Sequence, residues 1–309
     1  MIAFFVRRLA QSVLVILGVS ILSFGIMFLS GDPTMLMVGE DWSVKQVEEF
    51  RHIMGFDRPW YVQYWDFVTK AAQGDFGLSL RHKQPTFTLV MSRMPATLEL
   101  TFAAMLLSII LAFPVGILSA VKRDSIYDGL SMGGALLGQS VPVFWLGIML
   151  ILVFSVKLQW TPVAGRGTWT HLILPAITLG AFFIARNARM VRSCMLDVLG
   201  MEYVTTARSK GLREFVVIYK HALRNALIPV VTLIGLQFGA LLGGAVITET
   251  IFAWPGVGRL VIQAIQGKDL PLVQAAVTVL ALSFVLINLL VDYLYCILDP
   301  RVRITGYKA

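Results

Sequence analysis

Six apolar runs, each long enough to cross a lipid bilayer, constrain this 309-residue chain more than any other feature. A crossing helix needs about 20 mostly apolar residues in succession. The runs cover residues 9–29, 97–121, 131–156, 171–190, 228–251 and 272–298. The fourth ends near Arg186 and Arg189, whose long side chains can reach back to an interface. Composition agrees: 57% of the residues are hydrophobic and 14% charged, against roughly 25% charged in a soluble domain. Disorder, which requires low hydrophobicity and high charge, is excluded. A single soluble core could not hide so much apolar surface.

The first run follows Arg7 and Arg8 and exceeds the roughly 7–15 residues of a signal-peptide core. The sequence after it, Ser30-Gly31-Asp32-Pro33, lacks a small-residue cleavage pattern. The run reads as a retained span with a cytoplasmic N-terminus. With six spans, fifteen of the 26 basic residues fall on inner segments. Only Lys157, Arg166, Arg259 and Lys268 fall in short outer loops, in keeping with the excess of Lys and Arg on cytoplasmic loops. The formal charge of +8 therefore reads as topology. No segment is a soluble basic domain, so no nucleic-acid partner is expected. Cys194 and Cys296 fall at or near the cytoplasmic face, where no disulfide is expected.

Residues 31–96 form the one long polar stretch. Ser43-Val44-Lys45-Gln46 resembles a capping box, and Gly55 would stop the helix it starts. After Pro59, the residues Trp60, Tyr61, Tyr64, Trp65 and Val68 fall on one helical face. Two readings stand: a helix along the membrane–water interface, which favours Trp and Tyr, or packing against the rest of the loop.

No catalytic or metal site is legible. There is no G-x-x-x-x-G-K-[ST]; Gly267-Lys268 is followed by Asp269, so no ATP site of that kind is expected. HExxH and GxSxG are missing, and His52, His82, His171 and His221 are scattered.

The inner segment from Arg186 to Ile228 is too long for a mere turn. Tyr203 to Gly211 reads as a short helix stopped by glycine. A second helix would place Phe215, Ile218, Tyr219, Ala222 and Leu223 on one apolar stripe, flanked by Arg213, Lys220 and Arg224. The pair reads either as a surface hairpin lying on the bilayer or as a knob that docks a protein. In the fifth run, Gly235, Gly239 and Gly243 recur at four-residue spacing with Gly244 beside them, a groove for close helix packing in lipid. That packing could serve this chain alone, a partner subunit or a pathway. Gln139, Gln237 and Asn288 are the polar residues nearest mid-membrane, open to a local hydrogen bond or to lining a polar path. Glu249 and Asp292 lie near span ends, where an interface or a functional role both fit. In 252–270, Trp254-Pro255-Gly256 forces a turn, and Leu260, Ile262 and Ile265 predict a short apolar helix.

The stretch YVTTARSKGLREFVVIYKHALRNALIPVV at 203–231 resembles the EAA loop of ABC-importer permeases of the dipeptide, oligopeptide and nickel family. Gly31-Asp32-Pro33, GDFGLS at 74–79, PATLEL at 95–100, ILPAITLG at 173–180, ETIFAWPGVGR at 249–259 and DPRVR at 299–303 match in family order. One departure is Thr205-Thr206-Ala207 where the general pattern has Glu-Ala-Ala, so the acid's role does not carry over. The resemblance implies an all-α integral membrane protein with six transmembrane helices, the type I ABC-importer permease fold and both termini cytoplasmic. It implies a first span plus large periplasmic loop at 1–96, a core permease domain at 97–298 with a coupling loop at about 192–227, and a cytoplasmic tail at 299–309.

The implied partners are a second homologous permease subunit, two ATPase subunits that carry ATP and Mg, an extracytoplasmic substrate-binding protein and the lipid bilayer. The coupling residues would be Thr205, Thr206, Ala207, Arg208, Ser209, Lys210, Gly211 and Leu212. Thr206, Ala207 and Gly211 would allow close approach, and Arg208 and Lys210 would meet acidic groups on the ATPase. Di- and oligopeptides are the expected cargo on family breadth, with nickel chelates or glutathione as alternatives. A secondary transporter or channel would need membrane-buried acids or an inverted repeat, and neither is visible.

Overall fold

A computed structural model describes residues 2–29, 34, 35, 38 and 42–298, with side chains placed for 8–25, 34, 35, 38, 42–227 and 229–293. The Gly31-Asp32-Pro33 motif, the DPRVR motif and the 299–309 tail lie outside the described residues. Within them the fold is helical, with one isolated bridge between Leu78 and Pro85 and no strand. The elements are α1 (Ile2–Leu29), α2 (Val44–Met54), α3 (Trp60–Ala72), α4 (Thr86–Val121), α5 (Ile126–Ser140), α6 (Val143–Leu150), α7 (Trp169–Leu199), α8 (Glu202–Ser209), α9 (Glu214–Val216), α10 (Leu223–Ile251), α11 (Val257–Gln266) and α12 (Leu270–Leu298). Wider π turns continue α6 over Ile151–Lys157 and join α9 to α10 over Val217–Ala222.

Among the described residues, five helices are long and apolar enough to cross a membrane: Arg8–Gly25 in α1, α4, α7, Pro229–Ile251 in α10 and Leu270–Tyr293 in α12. The third expected run, 131–156, is not straight. It divides into α5 and α6 with its π extension, bent by 101°. Val141 at the break is extended (φ −76°, ψ 125°), the conformation forced on a residue before proline, and Pro142 has no N–H to continue the helix. The fourth run is longer than expected, since α7 continues to Leu199 rather than stopping near Met190. Two of its basic residues are partnered within the helical bundle and do not end the helix: Arg189 donates to Gln139 and Arg192 to Asp128.

The chain divides into two compact units, one of Met1–Thr97 with Pro255–Leu286, the other of Leu98–Trp254 with Ile287–Ala309. In the first unit the Ser43 cap forms as read. Gln46 N–H donates to Ser43 Oγ (3.4 Å), Ser43 N–H donates to Gln46 Oε1 (2.9 Å), and Gly55 is left-handed at φ +72°. Its core joins Val90 and Met94 of α4, Val257, Leu260 and Ala264 of α11, and Leu272, Ala276 and Val279 of α12. Of the stripe expected on α11, Leu260 is buried and Ile265 exposed. The GDFGLS segment turns on Gly74 and Gly77, both at positive φ. Its Ser79 Oγ donates to buried Asp269 (2.5 Å), which also accepts the Leu80 and Arg81 N–H groups.

In the second unit α7 packs against α4 and α10. Backbones approach closely where side chains vanish: a Cβ on Gly116 would lie 2.6 Å from the Ala188 carbonyl oxygen and 2.7 Å from Val191 Cβ. A buried cluster of Ile117, Val191, Met195, Ala226 and Val230 fills the junction. Asp128, at the start of α5, receives both Arg192 Nε and Nη2 at 2.7 Å, the Ser119 hydroxyl and the Asp124 N–H (3.1 Å). This two-pronged contact ties α5 to α7 and is mostly buried, with side-chain exposures of 8% and 26%. Breaking a buried pair by removing one partner is destabilising because it leaves the other charge uncompensated, and the partial exposure of Arg192 reduces the loss. Arg192→Ala should therefore lower the thermal midpoint of the purified protein clearly. Arg123→Ala, whose pair with Asp124 is 66% and 77% exposed, should leave the midpoint almost unchanged. Equal midpoints for the two variants would contradict a structural role for the Asp128 contact.

Candidate coupling site

The segment 201–225 is a small helical knob whose inner side is fixed and whose outer side is open. Helix α8 begins after Met201 and ends at Lys210, and Gly211 adopts φ +74°. The left-handed conformation costs a residue with a Cβ about 1–2 kcal/mol, which explains a glycine at the turn. Two residues of α8 point inward. Val204 is fully buried and Ala207 is 6% exposed, and both belong to the cluster containing Val191, Met195 and Val198. Asn225 Nδ2 donates to Tyr203 Oη (2.8 Å), pinning α8 to the start of α10.

Thr205, Thr206, Arg208, Ser209, Lys210, Gly211 and Leu212 are exposed. Arg208 is not free. Its Nη2 donates to Glu214 Oε1 (2.7 Å) and its Nε to Oε2 (3.2 Å), closing the loop that Gly211 turns. The guanidinium holds the Glu214 carboxyl below the usual carboxylate range. Of the two cations expected to meet the ATPase, Lys210 therefore points outward, whereas Arg208 is committed within the chain. Ala207 also departs from the expected approach surface: its small size serves internal packing, and a bulky replacement would push α8 off its core.

The second helix differs from the expected stripe. Val217, Ile218 and Ala222 are buried, whereas Phe215 and Tyr219 are exposed and pack ring against ring at 4.5 Å. The π turns over Val217–Ala222 wind more slowly than an α-helix. This shift of phase turns Val217 inward and Tyr219 outward. An α-periodic reading of the sequence could not place that shift.

The mid-span candidates separate. Gln139 is partly buried and accepts from Arg189. Gln237 is 3% exposed, and its amide oxygen and nitrogen have no hydrogen-bond partner among the described residues. Asn288 is half-buried. Asn187, which the sequence reading did not single out, is fully buried; its Nδ2 donates to Ser108 Oγ (2.9 Å) and its Oδ1 has no partner. Gly244 lies beside Leu179. The clustering of Val191 and Met195 with Val230 and Ala226 implies an antiparallel register for α7 and α10. Stepping seven residues along each helix from that Gly244–Leu179 contact puts Gln237 at the level of Arg186 and Asn187. Two incompletely satisfied carboxamides at one depth are costly unless other partners exist in another state or assembly. Glu249, expected near a span end, is fully buried. Of the spaced glycines, Gly235 meets Val291, whose Cγ1 an added Cβ would overlap, and Gly239 is buried, while Gly243 has nothing within 4 Å of an added Cβ.

Two family models match end to end. Residues 1–101 match the N-terminal part of binding-protein-dependent transport system membrane components, and 112–304 match the binding-protein-dependent transport system inner membrane component. The glutathione transport system permease protein GsiC of Escherichia coli (strain K12) is 43% identical over 304 residues, covering 98% of this chain and 99% of that protein. Its namesake in Shigella dysenteriae serotype 1 (strain Sd197) gives the same figures. Among solved structures, two inward-facing crystal forms of the MetNI methionine ABC transporter align with TM-scores of 0.55 and 0.58. Each is 20% identical and covers 68% of this chain and 96% of that one; at that identity the likeness concerns the fold. An amino acid ABC transporter crystallised with histidines aligns at 0.51. The chain thus belongs to the binding-protein-dependent transport system inner-membrane components, the multi-pass permease subunits of bacterial ABC importers.

Proposed function

We propose that this chain forms half of the pathway of an importer for glutathione and similar short peptides, and that α8 with Gly211 is where an ATPase subunit grips it. The observation that carries the reading is the two-sidedness of α8. Val204 and Ala207 anchor it in the chain's own core, and Thr205, Thr206, Ser209, Lys210 and Leu212 are left for a partner. A knob held this way moves α7 and α10 when it is pulled. The second permease subunit would meet the open Gly243 side of α10, and Gln237 with Asn187 would find their missing partners along the path or in the other state of the cycle. An extracytoplasmic binding protein would deliver the cargo, and the paired ATPases would use the ATP and Mg. Full-length likeness to a glutathione permease favours glutathione within the peptide class.

The test is uptake of radiolabelled glutathione and radiolabelled dialanine by cells that express this chain with the subunits encoded beside it. Uptake of glutathione above that of cells lacking the chain supports the reading. Uptake of dialanine alone would keep the machine and overturn the cargo.

A further inference from the structure

Helix α3 presents three different sides. One is packed: Tyr64 Oη shares a hydrogen bond with Ser20 Oγ (2.8 Å), and the Tyr64 and Phe67 rings lie 5.4 and 6.0 Å from Phe24 of α1. Phe67 continues through Phe76 to Phe87, at 6.3 Å for each step, which fastens α3 to the start of α4. A second side is polar, with Asp66 paired to Arg58 (3.3 Å) and Lys70 exposed. The third side carries Trp60, Tyr61 and Trp65, which are 70%, 60% and 67% exposed. Tyr61 and Trp65 are one helical turn apart, and the Trp60 ring stands edge-on to Tyr61 at 5.9 Å, so the three rings make one exposed patch with no packing partner among the described residues.

The depth of this patch follows from its tether. Ser20 and Phe24 lie inside the apolar window Arg8–Gly25 that crosses the membrane. The apolar helix continues past Gly25 to Leu29, so at about 1.5 Å per residue Ser20 sits roughly 13.5 Å inside that end of the span. A helix hydrogen-bonded to it cannot stand clear of the bilayer. Trp and Tyr combine an apolar body with a polar N–H or O–H, and they concentrate where acyl chains meet headgroups. A polar flank beside an aromatic side is the pattern of a helix lying in that boundary.

We propose that the Trp60, Tyr61 and Trp65 side of α3 is a lipid anchor, seated in the headgroup–acyl boundary of the leaflet at the Gly25 end of the first span. It holds the polar segment 42–85 against the membrane rather than offering it as a protein-binding face.

The test uses the assembled importer in nanodiscs of phosphatidylethanolamine and phosphatidylglycerol. Spin labels are placed at Tyr61→Cys, Trp65→Cys and Lys70→Cys, each with Cys194→Ser and Cys296→Ser. Labels at 61 and 65 should collide several-fold more readily with oxygen, which concentrates in lipid, than with a water-soluble nickel chelate. The label at 70 should show the reverse preference. Nickel access at 61 and 65 equal to that at 70 would overturn the proposal in favour of a water-facing surface. Protection from both reagents would overturn it in favour of a protein partner. The conservative pair Trp60→Phe and Trp65→Phe gives a second readout without labels. Brominated lipid should quench a smaller share of tryptophan fluorescence in that variant than in the parent, and an unchanged share would contradict the anchor.

Discussion

Gly116→Leu is expected to abolish accumulation of the folded protein in the membrane. Even the single methyl of Gly116→Ala would stand 2.6 Å from the Ala188 carbonyl oxygen and 2.7 Å from Val191 Cβ. The first obstacle is backbone, which cannot rotate aside as a side chain can. Relief therefore requires α4 and α7 to separate, and the buried Ile117 and Val191 beside the contact would lose their packing together. Overfilling a close-packed interior costs about 1–3 kcal/mol, sometimes more. Gly116→Ala should lower the thermal midpoint measurably, and the leucine variant should be degraded or recovered only as aggregate. Gly129 lies in α5 with nothing within 4 Å of an added Cβ. Gly129→Ala should be neutral, or stabilising by up to about 1 kcal/mol through helix propensity alone. Fluorescence-detected gel filtration of heated samples measures the series. Matching midpoints for Gly116→Ala and Gly129→Ala would contradict the close α4–α7 approach.

Gly211→Val is expected to separate ATP hydrolysis from transport. The residue is exposed, has open space around it and sits at φ +74°. A β-branched side chain there meets no neighbour, and its whole penalty is conformational, about 1–2 kcal/mol. That is enough to redirect the turn between α8 and Glu214 and too little to unfold a chain anchored by Val204, Ala207 and the Tyr203–Asn225 bond. On the proposed coupling role, the knob tip would then no longer fit an ATPase subunit. Uptake should fall by about tenfold or more, a loss of at least about 1.4 kcal/mol in coupling. Protein level and subunit co-purification should persist, with hydrolysis no longer stimulated by loaded binding protein. Gly211→Asp should behave similarly through its added charge beside Arg208 and Glu214. Wild-type uptake by either variant at wild-type abundance would remove α8 from the coupling role.

These variants also show what was readable in advance. The apolar runs, the Ser43 cap and the Gly55 and Gly211 stops are local, so their physics is written within a few neighbouring residues. Proline at 142 broke the third run because the residue before a proline avoids the helical region, and this too was available locally. Gly116 was not, because a lone glycine in an apolar helix gives no sign of which backbone will approach it. The Asp128–Arg192 contact joins residues 64 apart in sequence, and neither residue type says which partner it will find. The inward turn of Val217 depends on a slower winding that hydrophobic periodicity assumes away. Ala207 illustrates a subtler gap: its small size was legible, and only packing reveals that the size serves an inward contact.

The central claim is that this chain carries cargo only when ATPases pull on α8. The direct measurement is glutathione accumulation in proteoliposomes that contain the chain, its partner permease and the ATPases, with loaded binding protein on the side opposite the ATP. The account predicts accumulation against a gradient that requires hydrolysable ATP and disappears with Gly211→Val. Accumulation without ATP, driven by an ion gradient and unaffected by Gly211→Val, would contradict it.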